Sequence, residues 1–282
     1  MILRDLKKAL YLRAKSGNMD EADLEVRLIL TMATGLDSIG QIIHSDRELG
    51  EDEIAVAEEL LEKRLSGIPM AYLSHRREFF GYDFYVDENV LIPQPDTEIL
   101  VETSIEVLKD MKAPRVLDMC TGSGCIGTSI RMNVADARVS LSDISPEALE
   151  IARRNYEEIT GERADARMGN LFEPWHGEKF DFIATNPPYV TTEWYEDVSE
   201  EVKNEPKLAL IDYAEDGLDI IRRIIRDSKD MLNEGGALII ESDYRQCIKI
   251  RTIMENNGYR DIRTMKDLAG RERCTIGFLF SE

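Results

Sequence analysis

The sequence lacks several features that would assign the chain to common classes of protein. No run of about 18 apolar residues occurs, so no transmembrane helix is predicted. Basic side chains are scattered through residues 1–16 without the apolar core of a secretion signal, and the chain is therefore expected to be cytoplasmic. Basic residues are outnumbered, because 35 Lys and Arg face 55 Asp and Glu, and a net charge of -20 argues against a nucleic-acid partner. A membrane partner is not expected either.

Residues that bind metals or form disulfides are also scarce. The chain has three histidines, far apart in the sequence, and four cysteines: Cys120, Cys125, Cys247 and Cys274. Their spacing matches no metal-ligand motif and no disulfide framework. We therefore expect no metal site, and we interpret the cysteines as small buried hydrophobic residues.

Residues 1–74 have the spacing of amphipathic helices. Two apolar helix faces are predicted, one formed by Leu3, Leu6 and Leu10 and the other by Leu24, Leu28 and Met32. The segment is interpreted as a small helical bundle. It either recognises a partner protein or only caps the remainder of the chain.

The periodicity changes twice after residue 74. At 80–86 apolar and polar residues alternate, which predicts a hairpin strand, and residues 75–95 are interpreted as a connector. From 96 to 282 strands alternate with helices, which is typical of a mostly parallel sheet with helices on both faces. Seven strands are predicted, at 115–119, 139–142, 166–168, 180–185, 237–241, 259–264 and 275–280. The expected fold class is α/β, with a doubly wound, Rossmann-like sheet.

The predicted strand at 180–185 ends at Asn186-Pro187-Pro188-Tyr189. Because proline cannot donate to a sheet ladder, the strand must stop there, with an amide and an aromatic ring beyond its carboxyl end. In open α/β sheets this edge is where ligands bind. The turn is therefore a candidate substrate site, although a rigid turn with a packed tyrosine would give the same pattern.

A second candidate site follows the first strand of this sheet. The turn contains Asp118, Cys120, Thr121, Gly122, Ser123 and Gly124. Glycines at a strand-to-helix turn allow the backbone to approach a ligand and to present amides to it. Asp143 ends the next predicted strand, where a carboxylate can accept hydrogen bonds from both hydroxyls of a ribose. Together these features predict a ligand that contains adenosine.

Two cofactors fit such a turn. Gly122, Gly124 and Gly127 satisfy the dinucleotide fingerprint, so a nicotinamide-dependent oxidoreductase is one alternative. Asp118 would repel a pyrophosphate and tolerate a cation, and no proton donor for hydride transfer is evident near Asn186. S-adenosylmethionine, which carries a sulfonium and an ammonium group, suits these residues better. A methyltransferase that acts on a nucleobase amino group of RNA or DNA stays a further alternative, because the proline turn suits any conjugated nitrogen.

The chain resembles the release factor glutamine methyltransferases, which are class I S-adenosylmethionine-dependent enzymes. They methylate the side-chain nitrogen N5 of the glutamine in the Gly-Gly-Gln loop of class I peptide chain release factors, a step that modulates translation termination. The matching segments are 67–73, 78–81, 91–98, 118–124, 186–189, 204–206 and 267–273. The resemblance implies a class I methyltransferase domain at 96–282 and S-adenosylhomocysteine as product.

The resemblance also implies roles for individual residues. By this resemblance, the cofactor-binding residues are Cys120, Thr121, Gly122, Ser123, Gly124, Asp143, Leu171 and Asn186. Asp118 is added to them because its negative charge suits a cationic cofactor. The substrate amide would be clamped by Asn186, Pro187, Pro188 and Tyr189. Three positions depart from the family pattern. Cys120 stands where glycine is usual, Gln94 where arginine is common, and Glu241-Ser242-Asp243 where Glu-His-Gly or Glu-Ile-Gly is more usual.

Overall fold

The computed structural model describes residues 1–267 and 269–280. Leu268, which belongs to the 267–273 segment, and Ser281 and Glu282, at the end of the predicted methyltransferase domain, lie outside the described residues. The chain divides into two compact units, Met1–His75 and a second unit that begins at Arg76. The second unit contains the predicted connector from the connector's second residue onward. Within the described residues, no helix is long and apolar enough to cross a membrane.

The first unit is helical. Its helices are α1 (Leu3–Ser16), α2 (Ala22–Thr34), α3 (Ser38–Ile43), α4 (Glu51–Leu65) and α5 (Met70–Ser74). The predicted leucine face of α1 is buried. The predicted face of α2 is wrong, since Leu24 is 43% and Leu28 40% exposed, whereas Val26, Ile29 and Leu30 are buried. Apolar residues surround most of α2, so periodicity alone does not decide which side packs against α1 and α4.

The second unit begins with a two-stranded antiparallel hairpin, β1 (Arg77–Phe79) and β2 (Tyr82–Phe84). The sequence predicted one strand across 80–86, but the structure places the hairpin turn at Phe80 and Gly81. Both turn residues are left-handed, with φ of 52° and 79°, as the tight turns of hairpins require. The sequence prediction missed this turn because Phe80 is apolar, as strand residues usually are.

A seven-stranded sheet forms the centre of the second unit. Its strands are β3 (Arg115–Met119), β4 (Arg138–Asp143), β5 (Asp165–Met168), β6 (Phe180–Thr185), β7 (Leu232–Glu241), β8 (Tyr259–Lys266) and β9 (Glu272–Leu279). Their order is β5-β4-β3-β6-β7-β9-β8. Neighbouring strands are parallel except at β9, which is antiparallel to β7 and β8. The predicted mostly parallel sheet of seven strands is confirmed.

The helices of the second unit are α6 (Glu98–Leu108), α7 (Cys125–Asn133), α8 (Pro146–Thr160), α9 (Thr192–Glu196), α10 (Glu200–Lys203), α11 (Lys207–Leu210), α12 (Asp219–Ser228) and α13 (Cys247–Asn256), with 3-10 turns at Pro95–Thr97 and Glu173–Trp175. One face of the sheet is covered by α6, α7 and α8, and the other by α12 and α13. Successive strand residues enter different cores. Val116 and Phe182 lie in one apolar cluster, and Leu117 and Ile183 lie in the other, here called the second core. This alternation makes the sheet buried on both sides, and the chain reverses its direction of winding between β3 and β6.

Candidate active site

A pocket opens at the carboxyl ends of β3, β4 and β6, where the winding reverses. It encloses about 970 Å³, counting the part open to solvent. Its polar wall consists of the loop at 120–123, the turn at 143–145, and Asn186 with Pro188. Its apolar wall includes Val90, Leu91, Pro93, Pro206, Leu208 and Ala209. The two motifs that the sequence singled out therefore lie in one pocket.

The loop after β3 is held in a left-handed backbone conformation at three residues, Cys120, Gly122 and Gly124, with φ of 56°, 53° and 81°. A Cβ built on Gly122 would meet no protein atom within 4 Å, so the space beside it is open to a ligand. A Cβ on Gly124 would lie 3.1 Å from the Cα of Ala152, so this glycine packs the loop against α8. Cys120 carries the strain that glycine would avoid, about 1–2 kcal/mol for a left-handed L-residue.

Asp143 presents a fixed carboxylate to the pocket. Its Oδ2 accepts a hydrogen bond from the Gly122 amide at 2.9 Å, and its Oδ1 accepts one from the Ser145 amide at 3.0 Å. Burial raises the pKa of Asp143, while these amides oppose the shift. Each carboxylate oxygen has more than one acceptor direction, so both can still bind a hydroxyl group.

Asp118, Gly124 and Leu171 do not reach the pocket wall. The Asp118 carboxyl is fully buried, and its Oδ2 accepts hydrogen bonds from the Thr121 hydroxyl at 2.6 Å and the Gly127 amide at 2.8 Å. Burial raises the pKa of Asp118 to about 7. The position of Asp118 ties the loop to α7. Leu171 has a left-handed φ of 53° and packs against the second core.

The proline turn after β6 is divided between the pocket and the interior. Asn186 and Pro188 line the pocket, whereas Pro187 is buried and Tyr189 packs against the second core. Burial raises the pKa of the Tyr189 phenol, so it stays neutral. The Tyr189 carbonyl accepts a hydrogen bond from Gln246 Nε2 at 2.9 Å, which anchors the turn to the start of α13.

Several residues that shape the pocket escaped the sequence analysis. The Asn155 amide donates to the carbonyls of Tyr85 and Ser123 and accepts from the Tyr85 amide, which joins the hairpin to the loop after β3. Glu205 Oε2 accepts from the Ile92 amide at 2.8 Å and joins both apolar wall segments. Glu205 lies in a segment that the resemblance marked, whereas no local pattern marks Asn155.

The pocket presents polar side chains and backbone amides to a ligand. Among residues 1–267 and 269–280, no group of three His, Cys, Asp or Glu side chains is placed to hold a metal ion. Three of the four cysteines are buried. Burial raises the pKa of the Cys120 and Cys125 thiols, so neither is a ready nucleophile.

Matches to known proteins define the class of this fold. Residues 95–211 match the family model of the methyltransferase small domain, and residues 7–74 match that of the PrmC N-terminal domain. A solved methyltransferase from Pyrococcus furiosus has the same fold, with a TM-score of 0.53 and 19% identity, covering 72% of this chain and 91% of that chain. The sheet and the helices around it are those of a class I methyltransferase.

Relatives that span almost the whole chain narrow this class to one family. A release factor glutamine methyltransferase from Clostridium acetobutylicum is 35% identical over 280 residues, 98% of each chain. Another from Geobacter sulfurreducens is 35% identical and covers 95% of this chain and 92% of its own. The chain belongs to the release factor glutamine methyltransferase family.

Proposed function

We propose that this protein transfers a methyl group from S-adenosylmethionine to the side-chain amide nitrogen of the glutamine in the Gly-Gly-Gln loop of class I release factors. One observation carries the proposal. In a chain that belongs to this family, Asp143 and the loop after β3 line the same pocket as Asn186 and Pro188. A donor site and an acceptor site are therefore adjacent.

The residues present fit the cofactor. The open space beside Gly122 allows a ligand to lie against the backbone of the loop. The Asp143 carboxylate, oriented by two backbone amides, would hold the ribose hydroxyls. S-adenosylmethionine supplies a methyl group on a cationic sulfur that a nitrogen lone pair can attack. Asp118 and Leu171 would not contact the cofactor, and each would instead fix the shape of the loop in which it lies or which it bonds.

The acceptor side must orient a poor nucleophile. The lone pair of a glutamine amide nitrogen is delocalised into its carbonyl group, and fixed acceptors for its two N–H groups would turn that lone pair toward the methyl group. Asn186 Oδ1 would accept one N–H and a carbonyl of the proline turn, that of Pro187, the other. These dipoles also meet the positive charge that develops on the nitrogen. Orientation of this kind contributes up to about 7–11 kcal/mol in the best cases.

Parallel labelling tests the proposal. The purified protein is given methyl-labelled S-adenosylmethionine with release factor, tRNA, ribosomes or DNA. Label is expected in the release factor, and mass spectrometry should place it on the Gly-Gly-Gln glutamine. A release factor with that glutamine changed to alanine is the control. Label in nucleic acid alone would overturn the proposal and favour a nucleobase substrate.

The cofactor has a separate test. Thermal-shift measurements should show stabilisation by S-adenosylhomocysteine and none by NAD(H), because a ligand that binds only the folded protein stabilises it by RT ln(1 + [L]/Kd). Stabilisation by NAD(H) alone would favour an oxidoreductase.

A further inference from the structure

Two buried polar side chains, Thr97 and Glu241, lie next to Asn186, and the proposed chemistry does not use them directly. Thr97, 2% exposed, ends the 3-10 turn before α6, and its Oγ1 lies 3.5 Å from Asn186 Nδ2. Glu241, also 2% exposed, is the last residue of β7. In the parallel pair β6 and β7, Thr185 is opposite Ile240, so the next residues of the two strands, Asn186 and Glu241, are neighbours at the pocket edge.

The Glu241 carboxyl lies near the Thr97 and Asn186 side chains, and both of these oppose the rise of its pKa. Its Oε2 is completely buried and forms no hydrogen bond with any of the described residues. The titratable and charged groups that face Glu241 are Asp96, Cys125, Tyr189, Arg273 and Cys274. Arg273 lies on β9 and is shared with other carboxylates, because its Nη2 contacts Asp96 Oδ2 at 2.9 Å and Asp267 Oδ2 at 3.2 Å.

The direction of these hydrogen bonds follows from the groups involved. An ionised carboxylate only accepts, so a hydrogen bond between Thr97 and Glu241 must use the single hydroxyl proton of Thr97. The hydroxyl then has only lone pairs left for Asn186, and the Asn186 group beside it must be the NH₂. The amide oxygen of Asn186 therefore lies on the opposite edge. Without such a chain, the two ends of an asparagine amide are nearly interchangeable in shape.

We propose that Glu241, acting through Thr97, is a positioning residue that orients the Asn186 amide with its oxygen free to accept a substrate N–H. The inference rests on the proposed methylation of an amide. It also predicts a dependence on pH. A protonated Glu241 can donate to Thr97, and the hydroxyl of Thr97 can then donate to the Asn186 oxygen and reverse the amide.

Burial raises the pKa of Glu241 to about 7, while Thr97 and Arg273 oppose the shift. The pKa is raised, so the carboxyl becomes protonated as the pH falls through about 7. The oriented form of Asn186 is therefore present above this pH and is lost below it. The turnover number should fall on the acid side.

Substitutions at Thr97 give the first test. Thr97→Val keeps the shape and removes the hydroxyl, whereas Thr97→Ser keeps the hydroxyl. We expect Thr97→Val to lower kcat about tenfold or more, as the loss of a hydrogen bond to a charged group does, with KM and cofactor Kd changed less than threefold. Thr97→Ser should restore most of kcat. Thr103→Val is the matched control on α6, because the Thr103 hydroxyl bonds only the helix carbonyl of Ile99.

Glu241→Gln gives the second test. The wild type should lose kcat as the pH falls below about 7, and Glu241→Gln should have a lower kcat at pH 8 without that acid limb. Unchanged kcat in Thr97→Val, equal loss in the Ser and Val variants, or an acid limb that persists in Glu241→Gln would each overturn the inference. A wild type that methylates no release factor would instead refute the proposed function, so the two failures are distinguishable.

Discussion

Glu205 makes the stability of the second unit depend on pH in a predictable direction. Its side chain is 6% exposed, and its Oε2 accepts the Ile92 amide hydrogen bond. Burial raises the pKa of Glu205 from 4.5 to about 7; the Ile92 amide lowers it, but by less. Glu205→Gln keeps an oxygen for the Ile92 amide and cannot ionise. The variant should therefore be more stable than the wild type wherever Glu205 is charged.

The magnitude follows from the linkage between protonation and folding. The neutral carboxyl is favoured in the fold, so its stabilisation is complete below pH 4.5 and is lost as the pH rises through about 7. With these two pKa values, ionisation costs the fold about 1 kcal/mol at pH 5 and about 3 kcal/mol at pH 8. The advantage of the variant should therefore grow by roughly 2–3 kcal/mol over this range. For a unit of this size, that corresponds to about 5–10 °C in Tm.

Thermal unfolding without ligand, measured at pH 5, 6, 7 and 8, checks this. Glu196→Gln is the matched control, since the Glu196 side chain is exposed to solvent. Its Tm difference from the wild type should stay within about 1 °C at every pH, as for an ordinary surface change. If Glu205→Gln changes Tm equally at pH 5 and pH 8, the reasoning from the buried carboxyl is refuted.

Three further changes probe the pocket. Asn186→Ala should leave the cofactor Kd near normal by calorimetry and lower kcat about 10²-fold, as for one oriented polar group; full activity would exclude its role. Asp143→Ala should raise the Kd for S-adenosylhomocysteine about 10²-fold, because two charged hydrogen bonds to ribose are lost; unchanged calorimetric affinity would contradict this. Gly217→Ala would place a Cβ 2.3 Å from the Tyr189 carbonyl at φ +65°, and chemical denaturation should show a loss of about 3 kcal/mol; wild-type stability would speak against a rigid turn.

The sheet was predictable because its strands are buried on both faces. Such strands appear as apolar runs bounded by turns, and the runs at 115–119 and 180–185 coincide with β3 and β6. Predictions failed where the decision depends on packing or on backbone conformation. Helix α2 has apolar residues on several sides, and the neighbouring helices determine that Val26 rather than Leu24 is buried. The turn at Phe80 depends on a left-handed φ, which a phenylalanine in the sequence does not indicate.

The candidate site divides in the same way. Local motifs predicted the residues at 120–123, Asp143 and Asn186, and all of them line one pocket. The residues that hold these groups in place are distant in sequence. Asn155 bonds the loop after β3 to Tyr85, and Thr97 reaches Asn186 from another element. No single stretch contains both partners, so no motif could reveal them.

Asp118 shows where a charge read from sequence misleads. The preference for a sulfonium over a pyrophosphate began from a full negative charge at this position, but burial raises the pKa of Asp118 to about 7 and the side chain does not line the pocket. Near neutral pH the Asp118 carboxyl is partly protonated, and the loop after β3 separates its remaining negative charge from the pocket. The carboxylate of Asp143 reaches the pocket and is held by two amides. A ribose hydroxyl pair is common to both cofactors, so a contact at Asp143 would not discriminate between them. Repulsion of a pyrophosphate by Asp118 is therefore a weaker argument for S-adenosylmethionine than the sequence suggested.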